Sequence, residues 1–281
     1  MKFTQRLTIG YIQTKFKILA ALSKKEAARQ AFELFCTPYM KSKMKHPAIF
    51  QKASALQFTL NGLKINGYQW NPGGSKKALL LHGFGSAANN FHHFVNPLIA
   101  KGYEVLAFDG PAHGTSEGKT VNAVIYSDMI VQVLDRYGPV DSFIAHSFGG
   151  IALCLALEKV KLPNMPKIVF IAPATETSTA VEHAFNMLKL TDEKVKKQFH
   201  DIIFDLSGRP TEWFSMKRSL KNFKARILWI HDEDDDITPL RDALKVKEEN
   251  HAHIQFIVTK GLGHRKIYSD TAIKNKVIDF L

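Results

Sequence analysis

At 281 residues, 45% hydrophobic and 23% charged, the chain is long enough to bury a core without disulfides or metal, and its composition excludes the disordered and fibrous classes. No run approaches the roughly 18 apolar residues of a membrane span, and the two cysteines, Cys36 and Cys154, match no metal or redox spacing, which suits a reduced compartment and a cytoplasmic location. The net charge of +12 is uneven: residues 1–52 hold eleven Lys/Arg against Glu26 and Glu33, a charge of +9, and the rest of the chain carries only +3.

The basic character therefore belongs to an N-terminal extension, residues 1–52. It carries no nucleic-acid-binding motif, and no nucleic-acid partner is expected. Leu7, Tyr11 and Ile18 recur at helical spacing among the lysines, and a second helical stretch runs from Lys24 to Phe35, before Pro38. Lys15 and Lys17 interrupt what would have to be the apolar core of a signal peptide. Two readings stand: a helical arm packed on the main domain or over its active-site mouth, and an interfacial anchor that makes peripheral membrane contact with its basic face on anionic lipid.

From residue 53 the pattern changes. Leu56–Leu60 alternates, Asn61-Gly62 supplies a hairpin turn, and Leu63–Trp70 alternates again, an antiparallel opening. Short apolar runs follow at 78–81, 103–108, 142–145, 168–171, 227–230 and 254–258. Most are continuous, as strands buried on both faces should be. Helical stretches near 89–101, 120–137, 149–160, 240–249 and 266–281 separate most of them. The expected architecture is α/β: a mostly parallel sheet with an antiparallel N-terminal hairpin and helices on both faces. No strand is expected between Ala174 and Lys221. That interval, rich in charge and in aromatics such as Phe185 and Trp213, is too long for a simple connection. It is read as a helical cap insertion, residues 174–222, within a core of residues 53–173 and 223–281.

The loops after the strands carry the chemistry. Ala145-His146-Ser147-Phe148-Gly149-Gly150 lies between an apolar strand and a helix, with Ser147 at the tip of a tight turn. A serine hydroxyl needs a base within hydrogen-bond reach, and the base needs a carboxylate to fix its tautomer. His264, in the loop after the last strand, can be the base. One of the carboxylates of Asp232–Asp236 can orient it. The backbone N–H groups of Phe148 and of Phe84, in the loop His82-Gly83-Phe84-Gly85, can bind an oxyanion.

Four motifs in order, His82-Gly83-Phe84-Gly85, Asp109–Ser116, the serine turn and the acid-then-histidine tail, give residues 55–281 a close resemblance to the α/β-hydrolase-fold serine hydrolases, whose chain order is Ser…Asp…His. The resemblance implies a Ser147-Asp235-His264 triad, with His231 and Pro239 framing the acid loop and Asp232 standing where that family's loop usually has glycine. It implies a cofactor-free, metal-free hydrolase that attacks a carboxylic ester or related acyl compound through an acyl-enzyme. The partner is then a small-molecule acyl or ester substrate, apolar if the aromatic cap shapes the site. Thioesterase, peptidase and C–C hydrolase chemistry use the same triad and stay open, as does a lipid-binding protein acting through the arm. Pocket candidates are His82, Gly83, His146, Phe185 and Trp213. Nothing in the sequence speaks to the oligomeric state.

Overall fold

The computed structural model describes residues 3–38, 47–222 and 224–281. Residues 39–46 of the basic extension and Phe223, at the expected start of the second core segment, lie outside them. The chain divides into two compact units, residues 38–175 with 216–281 and residues 1–37 with 176–215.

The larger unit is built on an eight-stranded sheet: β1 (Ser54–Leu60), β2 (Leu63–Trp70), β3 (Lys76–Leu81), β4 (Tyr103–Phe108), β5 (Ser142–His146), β6 (Lys167–Ile171), β7 (Arg226–Asp232) and β8 (Ile254–Thr259), in the order β1-β2-β4-β3-β5-β6-β7-β8. The β1–β2 hairpin and the β2–β4 pair are antiparallel, and every other pair is parallel. Asn61 and Gly62 both take positive φ (48° and 80°), the turn whose twist matches a hairpin. β4 and β5 are buried at every position, and β8, at the edge, is half-buried with Gln255 and Val258 exposed. The expected α/β architecture is the one observed.

Side chains alternate across the sheet. Leu80, Val105, Ile144, Val169 and Leu228 share one face with Phe94 and Leu98 of α3 (His92–Ala100) and with Ile273 and Val277 of α11 (Thr271–Phe280). Leu79, Phe143, Phe170 and Trp229 are equally buried on the other face. There α5 (Phe148–Leu157) packs beside Phe170, and a Cβ on Gly150 would stand only 2.7 Å from Pro173 Cβ. α5 is apolar on all sides because α4 (Ala123–Tyr137) covers it in turn. The remaining helices of this unit are α8 (Met216–Ser219), α9 (Leu240–Lys247) and α10 (Gly263–Lys266).

The smaller unit is helical: α1 (Phe3–Leu22), α2 (Lys24–Cys36), α6 (Thr177–Leu188) and α7 (Glu193–Ser207). Residues 3–37 and 176–215, far apart in sequence, thus fold on each other. Phe199 of α7 is buried and met edge-on by Phe32, Phe35 and Phe185 at ring-centroid distances of 5.5, 5.7 and 5.2 Å. Lys24 pairs with Asp192 at 2.5 Å, and the Gln13 side-chain amide donates to the Met187 carbonyl at 2.8 Å. The helix ends are well signalled: Ser23 caps α2 through the Glu26 N–H, Asp192 caps α7, and Gly208 ends α7 in the left-handed region. Among the described residues no helix is long and apolar enough to cross a membrane. Cys36 and Cys154 are buried free thiols.

Candidate active site

Ser147 sits between the last residue of β5 and the first of α5. It takes φ 53° and ψ −122°, a backbone conformation that side-chain-bearing residues rarely adopt. Three hydrogen bonds hold it there. Its N–H donates to the Ile171 carbonyl (3.1 Å), and its carbonyl accepts from Gly150 (2.9 Å) and Ala174 (3.0 Å). Small residues let the loops close around it. A Cβ on Gly83 would stand 2.9 Å from Ser147 Cβ and 3.0 Å from His146 Nδ1, and one on Gly149 only 2.7 Å from the Leu81 carbonyl oxygen.

The sheet places the partners. β7 ends at Asp232, and the loop beyond it carries Asp235. β8 ends at Thr259, and α10 opens one residue before His264. His264 Nε2 lies 3.0 Å from Ser147 Oγ, and Nδ1 lies 2.8 Å from Asp235 Oδ2. All three side chains are buried. With Nδ1–H donating to the carboxylate, Nε2 presents its lone pair to the serine hydroxyl.

Asp235 is held from every side. Oδ1 accepts the Ile237 (2.9 Å) and Thr238 (2.8 Å) N–H groups, and Oδ2 accepts the Thr238 hydroxyl (2.8 Å) as well as His264. Burial alone pushes this carboxyl up, but His264 and those N–H donors outweigh it, and the net shift is downward. Of the acidic run 232–236, Asp235 is the member brought to His264, whereas Asp234 and Asp236 are exposed.

The Phe148 N–H, at the first position of α5, has no intrahelical acceptor. Phe84 shares its side of the serine turn: its ring stands edge-on to Phe148 at 5.6 Å and is 41% exposed. The loop that carries it is braced from behind. His82 Nδ1–H donates to the Gly83 carbonyl (2.8 Å) while Nε2 accepts the Gly110 N–H (2.8 Å). His113 does the same between the Pro111 carbonyl (2.9 Å) and the Gly85 N–H (2.9 Å). Asp109 pins its own turn through Ala88 and Thr115.

The pocket candidates fall in both units. His82 is fully buried with both ring nitrogens engaged, and burial pushes it down to about 4, so it is a neutral brace rather than a pocket wall. Phe185 belongs to the core of the helical unit, against Phe199. Trp213, in that same unit, is half-buried under the Arg209 guanidinium, 5.3 Å from the ring centroid. Gly83 and His146 do meet the serine turn. Sequence reasoning missed Thr238 and the contacts of Asp232. The signal for Asp232 is its departure from the glycine usual in that loop.

Comparison with known proteins gives relatives both in sequence and in fold. A Mycoplasma pneumoniae protein bearing an esterase/lipase name is 27% identical over 154 residues, 52% of this chain and 52% of that protein. The chain thus spans about half the length of that curated relative. Among solved structures, the esterase Pf2001 of Pyrococcus furiosus superposes with a TM-score of 0.64 at 20% identity, over 88% of this chain and 98% of its own. A bacterial membrane phospholipase A does so at 0.61 and 14%, over 98% of this chain and 97% of its own. Residues 78–271, from β3 to the start of α11, match the family model of the alpha/beta hydrolases. The chain belongs to the alpha/beta hydrolase family.

Proposed function

We propose that the protein is a serine hydrolase that cleaves a carboxylic ester of an apolar acid or alcohol through an acyl-enzyme. The observation that carries this reading is the unbroken line of hydrogen bonds from Ser147 Oγ through His264 to Asp235. Ser147 Oγ attacks the carbonyl carbon as His264 Nε2 takes its proton, and Asp235 stabilises the imidazolium. The Phe148 and Phe84 N–H groups receive the negative charge that develops on the carbonyl oxygen. His264 then returns the proton to the departing alcohol. A water molecule, deprotonated by the same imidazole, releases the acid and restores Ser147.

The exposed Phe84 ring, and Ile237 at 44% exposure beside Asp235, support an apolar group at this site. The esterase and lipase names among the relatives point the same way. Thioesters, peptides and activated C–C bonds call on the same atoms, and a substrate panel separates them. p-Nitrophenyl esters of rising chain length, run beside an acyl thioester and a peptide amide, should give the highest kcat/KM for an ester of medium chain. Turnover by native protein that persists undiminished in Ser147→Ala would sink the reading.

A second reading concerns the arm. α1 carries Lys15 and Lys17 and no acidic residue, while Tyr11, Ile18 and Leu22 are 72%, 58% and 80% exposed. Tyr11, Lys15, Ile18 and Leu22 follow helical spacing and share one face. Apolar side chains set among lysines suit peripheral contact with an anionic bilayer. Sedimentation with phosphatidylglycerol vesicles, but not with phosphatidylcholine vesicles, is the expected result. Equal binding to both, or binding unchanged in Tyr11→Ser/Ile18→Ser, would refute it.

A further inference from the structure

Asp232 lies in the acid loop outside the triad, and it is the residue that departs from the glycine usual there. It is the last residue of β7, with no exposed surface. A carboxylate in such a place is costly unless its oxygens are satisfied. Here four donors converge on it. Oδ1 accepts the N–H of Gly263 (2.9 Å) and of Asp234 (3.0 Å). Oδ2 accepts the Thr259 hydroxyl (2.7 Å) and the Leu262 N–H (3.1 Å). Burial raises its carboxyl and these donors pull it back below the ordinary range.

The donors come from both loops that the triad depends on. Leu262 and Gly263 are the two residues before His264, and Asp234 is the residue before Asp235. Thr259 ends β8, where the histidine loop leaves the sheet. A second stitch runs beside the first, from the Gly261 N–H to Asp234 Oδ2 at 2.9 Å. Gly261 and Gly263 take φ of 85° and 59°. Successive N–H groups at 261, 262 and 263 can therefore turn toward one side, the arrangement that makes a concave binding site for an anion. The anion here is supplied by the protein.

We propose that Asp232 is a positioning residue for the triad: its carboxylate clasps the histidine loop to the acid loop and so fixes the distance between His264 and Asp235. The proposal rests on the serine hydrolase reading above. It does not make Asp232 a catalytic group, because Asp232 touches neither Ser147 nor the reacting atoms.

A glycine at this position would leave the 262 and 263 N–H groups to water and the loop to be held by other means. An asparagine keeps the shape but turns one acceptor oxygen into an NH2, which in either amide orientation faces at least one of the N–H groups of Asp234, Leu262 and Gly263. The clasp then opens while the sheet remains intact.

The test uses a fluorophosphonate that forms an adduct on the nucleophilic serine, with its saturation kinetics resolved into binding and inactivation. Asp232→Asn should bind the probe as native protein does and react at least tenfold more slowly. Amide hydrogen exchange at Leu262 and Gly263 should accelerate at least tenfold, while exchange in β5 and β6 is unchanged. Thr259→Val, which removes one donor and keeps the carboxylate, should show the same pattern at smaller size, and it carries the test if Asp232→Asn does not fold. Native protein that takes no label contradicts the hydrolase reading, whereas exchange at Leu262 and Gly263 still reports on the clasp. A folded Asp232→Asn that labels at the native rate, or whose exchange at those two amides is unchanged, overturns the clasp.

Discussion

His146 lies against His264. Their ring centroids are 4.8 Å apart, and His146 Nε2–H donates to the His264 carbonyl over 3.1 Å. Tyr268 lies close on His146 as well, at 4.6 Å between centroids. The residue before Ser147 thus holds the backbone of His264. Burial, then the neighbouring His264, push His146 down to about 3, so its ring is neutral at working pH. His146→Phe keeps a ring in place and removes the donor. A hydrogen bond of about 1–1.5 kcal/mol is lost, worth roughly tenfold in rate. Steady-state ester hydrolysis should show that loss in kcat with KM nearly constant; a loss confined to KM would place His146 in substrate binding instead.

Asp235→Asn should abolish most of the activity without unfolding the protein. The amide cannot stabilise an imidazolium and favours the wrong imidazole tautomer, a change worth on the order of a thousandfold or more in kcat. Asp236→Asn should stay within about twofold of native, because a single exposed charge of this kind contributes little. A comparable loss in that variant would move the acid away from Asp235.

Gly83→Ala tests how closely the loops approach. The added methyl would meet Ser147 Cβ at 2.9 Å and His146 Nδ1 at 3.0 Å. Overpacking of this kind costs about 1–3 kcal/mol. Denaturant unfolding should register that loss, together with a fall in kcat of tenfold or more as the serine turn is displaced. Native stability and rate in this variant would mean that the loop is free to move away.

Stability should respond to acid in two separate windows. His82 and His146 are pushed down to about 4 and about 3, below the unfolded value of about 6.5. The unfolded chain therefore binds protons first, and stability falls as pH drops below about 6.5, by roughly 1.4 kcal/mol for each histidine at pH 5.5. Asp235 and Asp232 are lowered as well. Their contribution is present above the ordinary carboxylate pKa near 3.9 and is lost as pH falls from there through their lowered native values. Urea unfolding from pH 8 to 5 should show the first window, and His82→Gln should flatten it. A flat profile in the native protein would contradict the neutral, buried state of these rings.

Phe199→Ala should loosen the helical unit as one body. The ring is buried among Phe32, Phe35 and Phe185, and such truncations cost about 3–5 kcal/mol. Limited proteolysis should then cut within residues 1–37 and 176–215 at the same rate, with the sheet protected. Cleavage of the arm alone would show that the two segments do not depend on each other.

Most of the sheet was legible in the sequence because its strands are continuous apolar runs broken by turn residues. The 103–108 run and Asn61-Gly62 fall where the strand and the turn are found. The meeting of Ser147, Asp235 and His264 was legible because each follows a strand and the three are of complementary types, a hydroxyl, a carboxylate and an imidazole. Contacts made by ordinary residues were not legible. Nothing local to Phe185 says that it meets Phe199 instead of a substrate. The pairing of α2 with α7 joins segments about 170 residues apart, and periodicity reports only that each has an apolar face. Asp232 reads as one more acid in an acidic run until the N–H groups of residues 262 and 263 are seen to end on it.

Incubation with a fluorophosphonate at neutral pH, followed by mass spectrometry of the digested protein, tests whether Ser147 is an activated nucleophile. A single stoichiometric adduct on Ser147 is expected, absent from Ser147→Ala and slowed a hundredfold or more in His264→Ala. A native, folded protein that takes no adduct, or takes it on another residue, would contradict it.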